Sequence, residues 1–595
     1  MASQQRDVDL EPHTPSLRLL RQLKIHLLTH HLRNLGFNQR LNISLPEVTI
    51  SAFTETGQEG SSVIVPLQRA YTGTEPVISS CLADTPCATL GVQALLDQLN
   101  TTLRTSRTVD TTSLSSLLED CIANNYDFGM AYGRLRRVWY TRNWSTIRNT
   151  LRKWEEGDRE KRRKALVGNQ VVEPLLEPRR IWDLYSNRVV PWWSTGISFD
   201  HSRSDIESKH QPRPISHAWM DEKDRVNVST PINGYEWPVP IPKDTSLNLV
   251  RIEMLNLGLE YVWLDVLCLR QVGGPGENMR TEEWMLDVPT IGAVYLLADV
   301  VWYLSGLGRP LSLKDGDLDS DRSWFRRAWT LQEVSGKMVI AGDTWDGPLH
   351  AKEQDGKYET PLLTRFHEQL QSESNSHDIS NGVFAVLENM RKRVSTNPVD
   401  KVAGLAFRLL SNVIPAYYES QSLEEAWTAL VNSMDAQCRA DLFSFYPEPG
   451  NAGAKWRPSW HQLMTKPLPT DAFAGIFFDR DEETGVDWCE VECIKGLVRG
   501  LAVVEGDNRH GQLIVKGKDG MKHRFKIMAT HTYPIPAETY TLICVDESDF
   551  RSWVVGRRLP KQRFEKVSVL QILDRDESTQ LKDLHITEEC LIIPV

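Results

Sequence analysis

Between Arg213 and Gly342 the chain lays down short, unbroken apolar runs separated by helix-like stretches, and that alternation leaves few folds open to it. Pro214–Trp219 reads as a short strand. Asp244 is placed to N-cap a helix carrying Leu247, Leu249, Val250, Met254, Leu255 and Leu257, with Gly258 as its stop. Tyr261–Leu269 is apolar at nearly every position, the pattern of a strand covered on both faces. Glu282–Ala298 is the next helix, kinked or split at Pro289. Val300–Leu304 is a third strand, Phe325–Val334 a helix, and Met338–Ala341 a fourth strand. Strands and helices taken in turn predict an α/β core built on a parallel sheet.

At 595 residues the chain exceeds what one hydrophobic core fills, and its texture divides into four regions. Residues 1–175 read as a mostly helical N-terminal region. Leu17, Leu20, Leu23, Leu27 and Leu28 recur at helical spacing there, and Leu114–Trp154 adds amphipathic helix, with an irregular stretch from Ile43 to Pro86 between them. A Pro-punctuated linker around Glu173–Arg180 leads into the α/β domain, residues 176–350. Residues 351–495 return to helices, one of them running from Leu423 to Met434 behind a Ser422/Glu425 capping box. Residues 496–595 form a β-rich C-terminal module, in which Gln512–Val515 and His523–Ile527 flank an Asp519-Gly520 turn.

Charge and cysteine usage narrow the function classes. A net charge of −11 argues against a nucleic-acid partner. Lys161-Arg162-Arg163-Lys164 has the look of a nuclear signal, but it continues a charged helical pattern and reads better as a solvated helix face. Nine cysteines fit a reducing compartment, their spacings give no disulfide framework, and Cys489/Cys493 lacks the second pair a zinc site needs. No metal site is expected. Val288–Leu304 approaches the length of a membrane span, but Asp299 interrupts it, so a buried helix running into a buried strand is the better reading and no membrane anchor is evident. With no secretory pattern, a cytoplasmic location is expected. Gly273-Gly274-Pro275-Gly276 lacks the spacing and the Lys-Ser/Thr of a phosphate loop.

Candidate site residues follow from the strand ends, where open α/β sheets place their ligands. Ser216, His217 and Trp219 end the first strand; Asp265 and Cys268 lie toward the end of the second, with Gln271 just beyond. Each alone has a plain structural reading: Asp265 as a cap, Cys268 as a small core residue, His217 as a satisfied buried histidine. Their convergence on one edge favours a pocket. Glu283 and Asp287 stand four residues apart around Trp284, on one helix face, where two carboxylates beside an indole suit a ribose and equally suit the helix dipole. Arg327, Trp329, Gln332 and Glu333 make a polar-aromatic segment that reads first as an ion-pair network.

Three motifs taken together carry a resemblance. Ser216-His217-Ala218-Trp219, Trp263-Leu264-Asp265-Val266-Leu267-Cys268-Leu269-Arg270-Gln271 and Arg327-Ala328-Trp329-Thr330-Leu331-Gln332-Glu333 resemble, in order and distance, the pattern of the fungal heterokaryon-incompatibility (HET) domain. The helix around Glu283 to Asp299, the segment Asp400–Ala406 and Trp456–Trp460 are similar to blocks that accompany it. The resemblance covers about 213–342 at its core. It implies a TIR-like, flavodoxin-like sheet and a cytosolic trigger of regulated cell death on non-self recognition, acting through a protein partner or self-association. It also implies an alternative to that reading, NAD glycohydrolysis of the TIR type, with a small nucleotide as ligand and NAD as substrate rather than cofactor. The catalytic carboxylate of that reading is Asp287 or Glu283. The family's Trp-x-x-Glu stands here as Trp284-Met285-Leu286-Asp287, one methylene short.

Overall fold

The computed structural model describes residues 71–595, apart from 72, 110–111, 141–143, 198–211, 297, 335–337, 345, 376–381, 410–412, 471–473, 482–483, 504–507 and 547–549. The leucine pattern from Leu17 to Leu28, and the irregular stretch as far as residue 70, lie outside the described residues. After a single helical turn at Ser80–Ala83, four longer helices follow: α1 (Cys87–Leu103), α2 (Thr112–Ala123), α3 (Phe128–Leu135) and α4 (Ile147–Ala165). On α4 the basic run sits as a helix face: Arg163 and Lys164 both pair with Glu160, and Arg162 turns inward to Asp158.

The Pro-punctuated linker does not stay a linker. From Arg180 it becomes an antiparallel hairpin, β1 (Arg180–Asp183) and β2 (Arg188–Pro191), on the side of the central sheet. That sheet continues with β3 (Arg213–His217), β4 (Tyr261–Leu264), β5 (Val300–Tyr303) and β6 (Met338–Ile340), in the spatial order β6-β5-β3-β4-β1-β2. The four strands β6, β5, β3 and β4 are mutually parallel, whereas β1 meets β4 antiparallel, so the expected parallel sheet is a mixed one. Helix α5 (Leu247–Asn256) connects β3 to β4, and α6 (Arg280–Asp287) and α7 (Ile291–Leu296) connect β4 to β5, separated around Pro289 as the missing proline N–H requires.

Local chemistry explains where the boundaries differ from expectation. Ser246, not Asp244, caps α5, because Asp244 is committed to Arg309 at 2.9–3.0 Å. The second strand stops at Leu264, where the Asp265 carboxylate accepts the N–H of Val266 and starts a single helical turn through Cys268. The helix expected over Phe325–Val334 is two 3-10 turns, Trp324–Arg326 and Trp329–Leu331. Between them the backbone turns outward to pair with Val394, which takes the hydrogen bonds a helix would have used.

Buried arginines fasten the N-terminal helices to the sheet. Arg188, fully buried, bonds Asp127 and Asp84; Arg136 bonds Asp183 and Glu260; Arg251 of α5 donates to the carbonyls of Ile78, Leu184 and Tyr185. Breaking such a pair strands a charge in low dielectric, so these contacts fix the position of one layer on the other.

Helices α8 (Pro361–Asn375), α9 (Gly382–Arg391), α10 (Leu423–Ser433) and α11 (Ala436–Phe445) follow, with the Ser422/Glu425 capping box formed on α10. The antiparallel sheet begins at Asp487, inside the region expected to be helical. It comprises β7 (Asp487–Arg499), β8 (Arg509–Lys516), β9 (Lys522–Ala529), β10 (Glu538–Cys544), β11 (Ser552–Arg558) and β12 (Arg563–Ile572). Pairing runs β7-β8-β9-β12-β11-β10 and returns from β10 to β7, so the sheet closes on itself as a barrel. After helix α12 (Arg575–Asp583), β13 (Glu588–Pro594) lies against β7 and β12. A disulfide joins Cys493 of β7 to Cys590 of β13, a pairing across 97 residues that the cysteine spacing did not indicate.

Candidate functional site

The three motifs meet at the C-terminal ends of β3 and β4. Ser216 Oγ donates to Glu333 at 2.5 Å and accepts the indole N–H of Trp324 at 2.7 Å, all three buried. One residue on, His217 Nε2 lies 2.9 Å from Asp265 Oδ1, and Trp219 Nε1 donates to Asp265 Oδ2 at 2.9 Å. The Trp219 ring stacks on the imidazole with centroids 5.8 Å apart. Alternation along β3 makes this possible. Ser216 and His217 point to opposite faces of the sheet, so one strand end reaches Glu333 on one side and Asp265 on the other.

Electrostatics separates the two carboxylates. Burial pushes Glu333 up to about 7, further than Ser216 and His217 pull it back. Asp265 feels burial too, but His217 and Trp219 outweigh it and hold its carboxyl below the ordinary range. His217 answers in kind: burial works against its charge, and Asp265 wins, raising it. Asp265 thus favours the charged form of His217, and beside that pair Glu333, pushed up to about 7, is able to donate or accept a proton.

Trp329 and Gln332 of the third motif are placed differently. Trp329 hydrogen-bonds Asp400, whose carboxyl burial raises to about 6 and which also accepts from Tyr417 at 2.7 Å. Gln332 is buried. Arg393 ties the motif to α8: it donates to Thr330 Oγ1 at 2.6 Å and clasps Glu373 at 2.7 and 2.8 Å. Arg327 is half-buried, with Thr396 Oγ1 at 3.3 Å.

The remaining candidates do not join this cluster. Asp287 is 7% exposed and held by Arg179 at 2.7 and 3.1 Å, with Arg162 at 3.6 Å. Glu283 is gripped by Arg180 at 2.7 and 2.9 Å and by Arg270; burial raises its carboxyl, and these guanidiniums bring it below the ordinary value. Both carboxylates are thus spent on arginines rather than presented to a ligand. Trp284 donates to the Arg270 carbonyl at 2.7 Å and carries Arg280 over its face at 3.7 Å. Gln271 donates to Leu269, and Cys268 is buried with its thiol pushed up to about 12 by burial, far from the thiolate a nucleophile needs.

Two features escaped the sequence reading. Glu253 is fully buried, pushed up to about 7 by burial, and bonded by the Tyr303 hydroxyl and the Gly342 N–H. A lone glutamate among Leu249, Val250, Met254 and Leu255 was the available signal. Gly342 has to be glycine: its φ is +72°, and a Cβ there would sit 2.2 Å from the Arg309 carbonyl. Arg225 was the second omission; its guanidinium lies over Trp219 at 5.2 Å. Among the described residues no group of His, Cys, Asp and Glu forms a metal site, and no helix is long and apolar enough to cross a membrane. No family model, curated protein or solved structure matches this chain.

Proposed function

We propose that this chain is a HET-domain protein that acts in fungal non-self recognition and regulated cell death, as a cytoplasmic signalling module engaging a protein partner or further copies of itself. The observation that carries the reading is the convergence of three motifs, more than a hundred residues apart at their extremes, on one strand end as two hydrogen-bonded networks on its opposite faces: Ser216 with Glu333 and Trp324, and His217 with Asp265 and Trp219. Independent structural roles would not require their polar groups to meet. The test is inducible expression in a filamentous fungus with growth arrest and vital-dye uptake as readouts. Killing by the natural sequence, lost in Glu333→Gln and Asp265→Asn at equal protein level, is the expected result. Absence of killing when the protein accumulates sinks the reading.

Glu333 favours a second reading, NAD glycohydrolysis of the TIR type. A carboxyl that titrates near 7 is substantially ionised at neutral pH, and its carboxylate form suits a glycosidic bond whose cleavage develops positive charge at the ribose. In this reading the carboxylate is Glu333 rather than Asp287 or Glu283, both of which arginines occupy. Nicotinamide release by concentrated full-length protein, abolished by Glu333→Gln and retained in Asp287→Asn, would support it. No turnover at any concentration would end it and leave the signalling reading in place.

A further inference from the structure

One wall of the C-terminal barrel concentrates positive charge in a chain whose net charge is −11. Strands β7, β8 and β9 are neighbours there. Their pairing sets Leu497 beside Ile514 and Ile514 beside Arg524, Arg499 beside Gln512 and Gln512 beside Lys526, and Lys516 beside Lys522. Side chains alternate along a strand, so these residues share the outer face, and Val498, Leu513, Val515, Phe525 and Ile527 fill the barrel from the inner one. Lys495, two residues before Leu497, takes the outer face as well. Lys495, Arg499, Lys516, Lys522, Arg524 and Lys526 are all exposed, and Leu497 and Ile514 are half-buried among them.

Few carboxylates answer that charge. Among the described residues Lys526 alone of the six forms an ion pair, with Glu577 at 3.8 Å. Glu538 of the adjacent β10 is taken by Arg557, and Glu490 and Glu492 of β7 lie farther along the strand, where it pairs with β13. Lys516 stands directly across from Lys522, and like charges so placed repel. The β8–β9 turn adds an exposed Lys518 and one carboxylate, Asp519, which accepts the Met521 N–H at 2.9 Å. Met521 itself is 64% exposed at the end of the hairpin. The barrel meets the rest of the chain through β12, where Lys566 and Ser568 donate to the carbonyls of Phe443 and Pro447, so the cationic wall is left free. Its outward positions hold Lys, Arg, Leu, Ile and Gln, without the aromatic rings on which a nucleic-acid strand stacks. A broad cationic face ending in an apolar tip matches an anionic bilayer, which offers many headgroups to the one and an acyl boundary to the other.

We propose that this wall is a docking surface for an anionic lipid bilayer: the cations of β7, β8 and β9 lie against acidic headgroups, and the β8–β9 turn carries Met521 into the headgroup layer. The contact is peripheral and needs no spanning segment. It draws on the barrel and not on the strand ends of the central sheet, so it goes beyond the signalling reading, and either stands if the other fails.

The experiment is sedimentation of the full chain with vesicles of phosphatidylcholine alone and of phosphatidylcholine and phosphatidylserine in equal parts, at low and at physiological salt. Parallel arms hold the protein with a single-stranded oligonucleotide and the protein by itself. Binding to the mixed vesicles and not to phosphatidylcholine is expected, weakening as salt rises. Each cation removed should lower the partition about fivefold, so Lys516→Gln and Lys522→Gln together should lose about twentyfold or more. Relief of the cross-strand repulsion keeps that double variant folded, with an unfolding midpoint no lower than the natural protein's. Met521→Gln should weaken binding at physiological salt, where screening leaves the apolar contact a larger share. Lys352→Gln, an exposed lysine outside the barrel, should sediment as the natural protein does. No binding to the mixed vesicles, equal binding to phosphatidylcholine alone, or an unchanged partition in the double variant or in Met521→Gln overturns the proposal. So does a preference for the oligonucleotide, or for self-assembly, that the double variant abolishes.

Discussion

The central sheet and the C-terminal barrel bury their interiors in opposite ways. Inside the barrel stand Leu513, Phe525, Ile527, Leu542, Trp553 and Val555, an almost wholly apolar filling. The central sheet keeps Ser216, Glu333, His217 and Glu253 buried among its strands and helices, each with a specific partner. Apolar packing needs only volume and pattern, whereas buried acids cost stability and persist where they have work to do. The barrel interior thus reads as scaffold and the strand ends of the central sheet as the place of function.

The comparison can be pressed by experiment. The largest effect should come from the barrel: Trp553→Ala removes a fully buried indole and is expected to cost about 4–5 kcal/mol in urea unfolding. A loss under about 1 kcal/mol would show that the barrel interior is not the tight filling described. The next test is pH, where the two regions should move in opposite directions. Glu253 and Glu333 keep their protons in the folded state to about 7, against an ordinary value of 4.5. The folded chain therefore binds more protons between about 4.5 and 7, and stability falls as pH rises through that window, by roughly 3 kcal/mol at most for each acid. Lys566 reverses the sign. Buried against α11, it is brought down from 10.5 to about 7 by burial, so the unfolded chain binds more protons and stability rises between about 7 and 10.5. Unfolding midpoints across that range should lose about half of the acid slope in Glu253→Gln, the Glu333 share remaining, and the basic slope in Lys566→Met; the same slopes in the variants would refute the assignment.

Smaller effects sharpen the picture around the cluster. Arg393→Ala breaks a buried pair with Glu373 and releases Thr330, for an expected loss of about 3 kcal/mol and faster hydrogen exchange over residues 324–334. Ser216→Ala leaves Glu333 and the Trp324 N–H without a partner, about 2 kcal/mol by the same unfolding measurement. At the bottom of the scale, Arg557→Gln breaks an exposed pair with Glu538 on the barrel surface and should leave the midpoint unchanged.

Much of the local structure was legible in the chain. The apolar runs at Tyr261–Leu264 and Val300–Tyr303, the capping box at Ser422 and the Asp519-Gly520 hairpin all appear where short-range patterns place them. The pairing of His217 with Asp265 and of Ser216 with Glu333 was legible only as a shared edge, because nothing in sequence measures which strand face each side chain takes. What stayed hidden is long-range. Arg179 claims Asp287 across 108 residues, and the barrel closes by pairing β7 with β10, a contact no local window contains. The turn at Thr330 was missed for a related reason: the segment has helical composition, but its backbone bonds go to Val394.

The route by which the barrel closes also sets an order of assembly. Strand β7 must hold its place for β10, and then for β13, made nearly a hundred residues later and bound to it by Cys590. Contacts that far apart in sequence form slowly. On a ribosome the central sheet has all six of its strands by Ile340, while the first barrel strand, Asp487–Arg499, emerges long before its last partner. During synthesis the strand ends that carry Ser216 and Asp265 can be in place while the scaffold behind them is still waiting to be built.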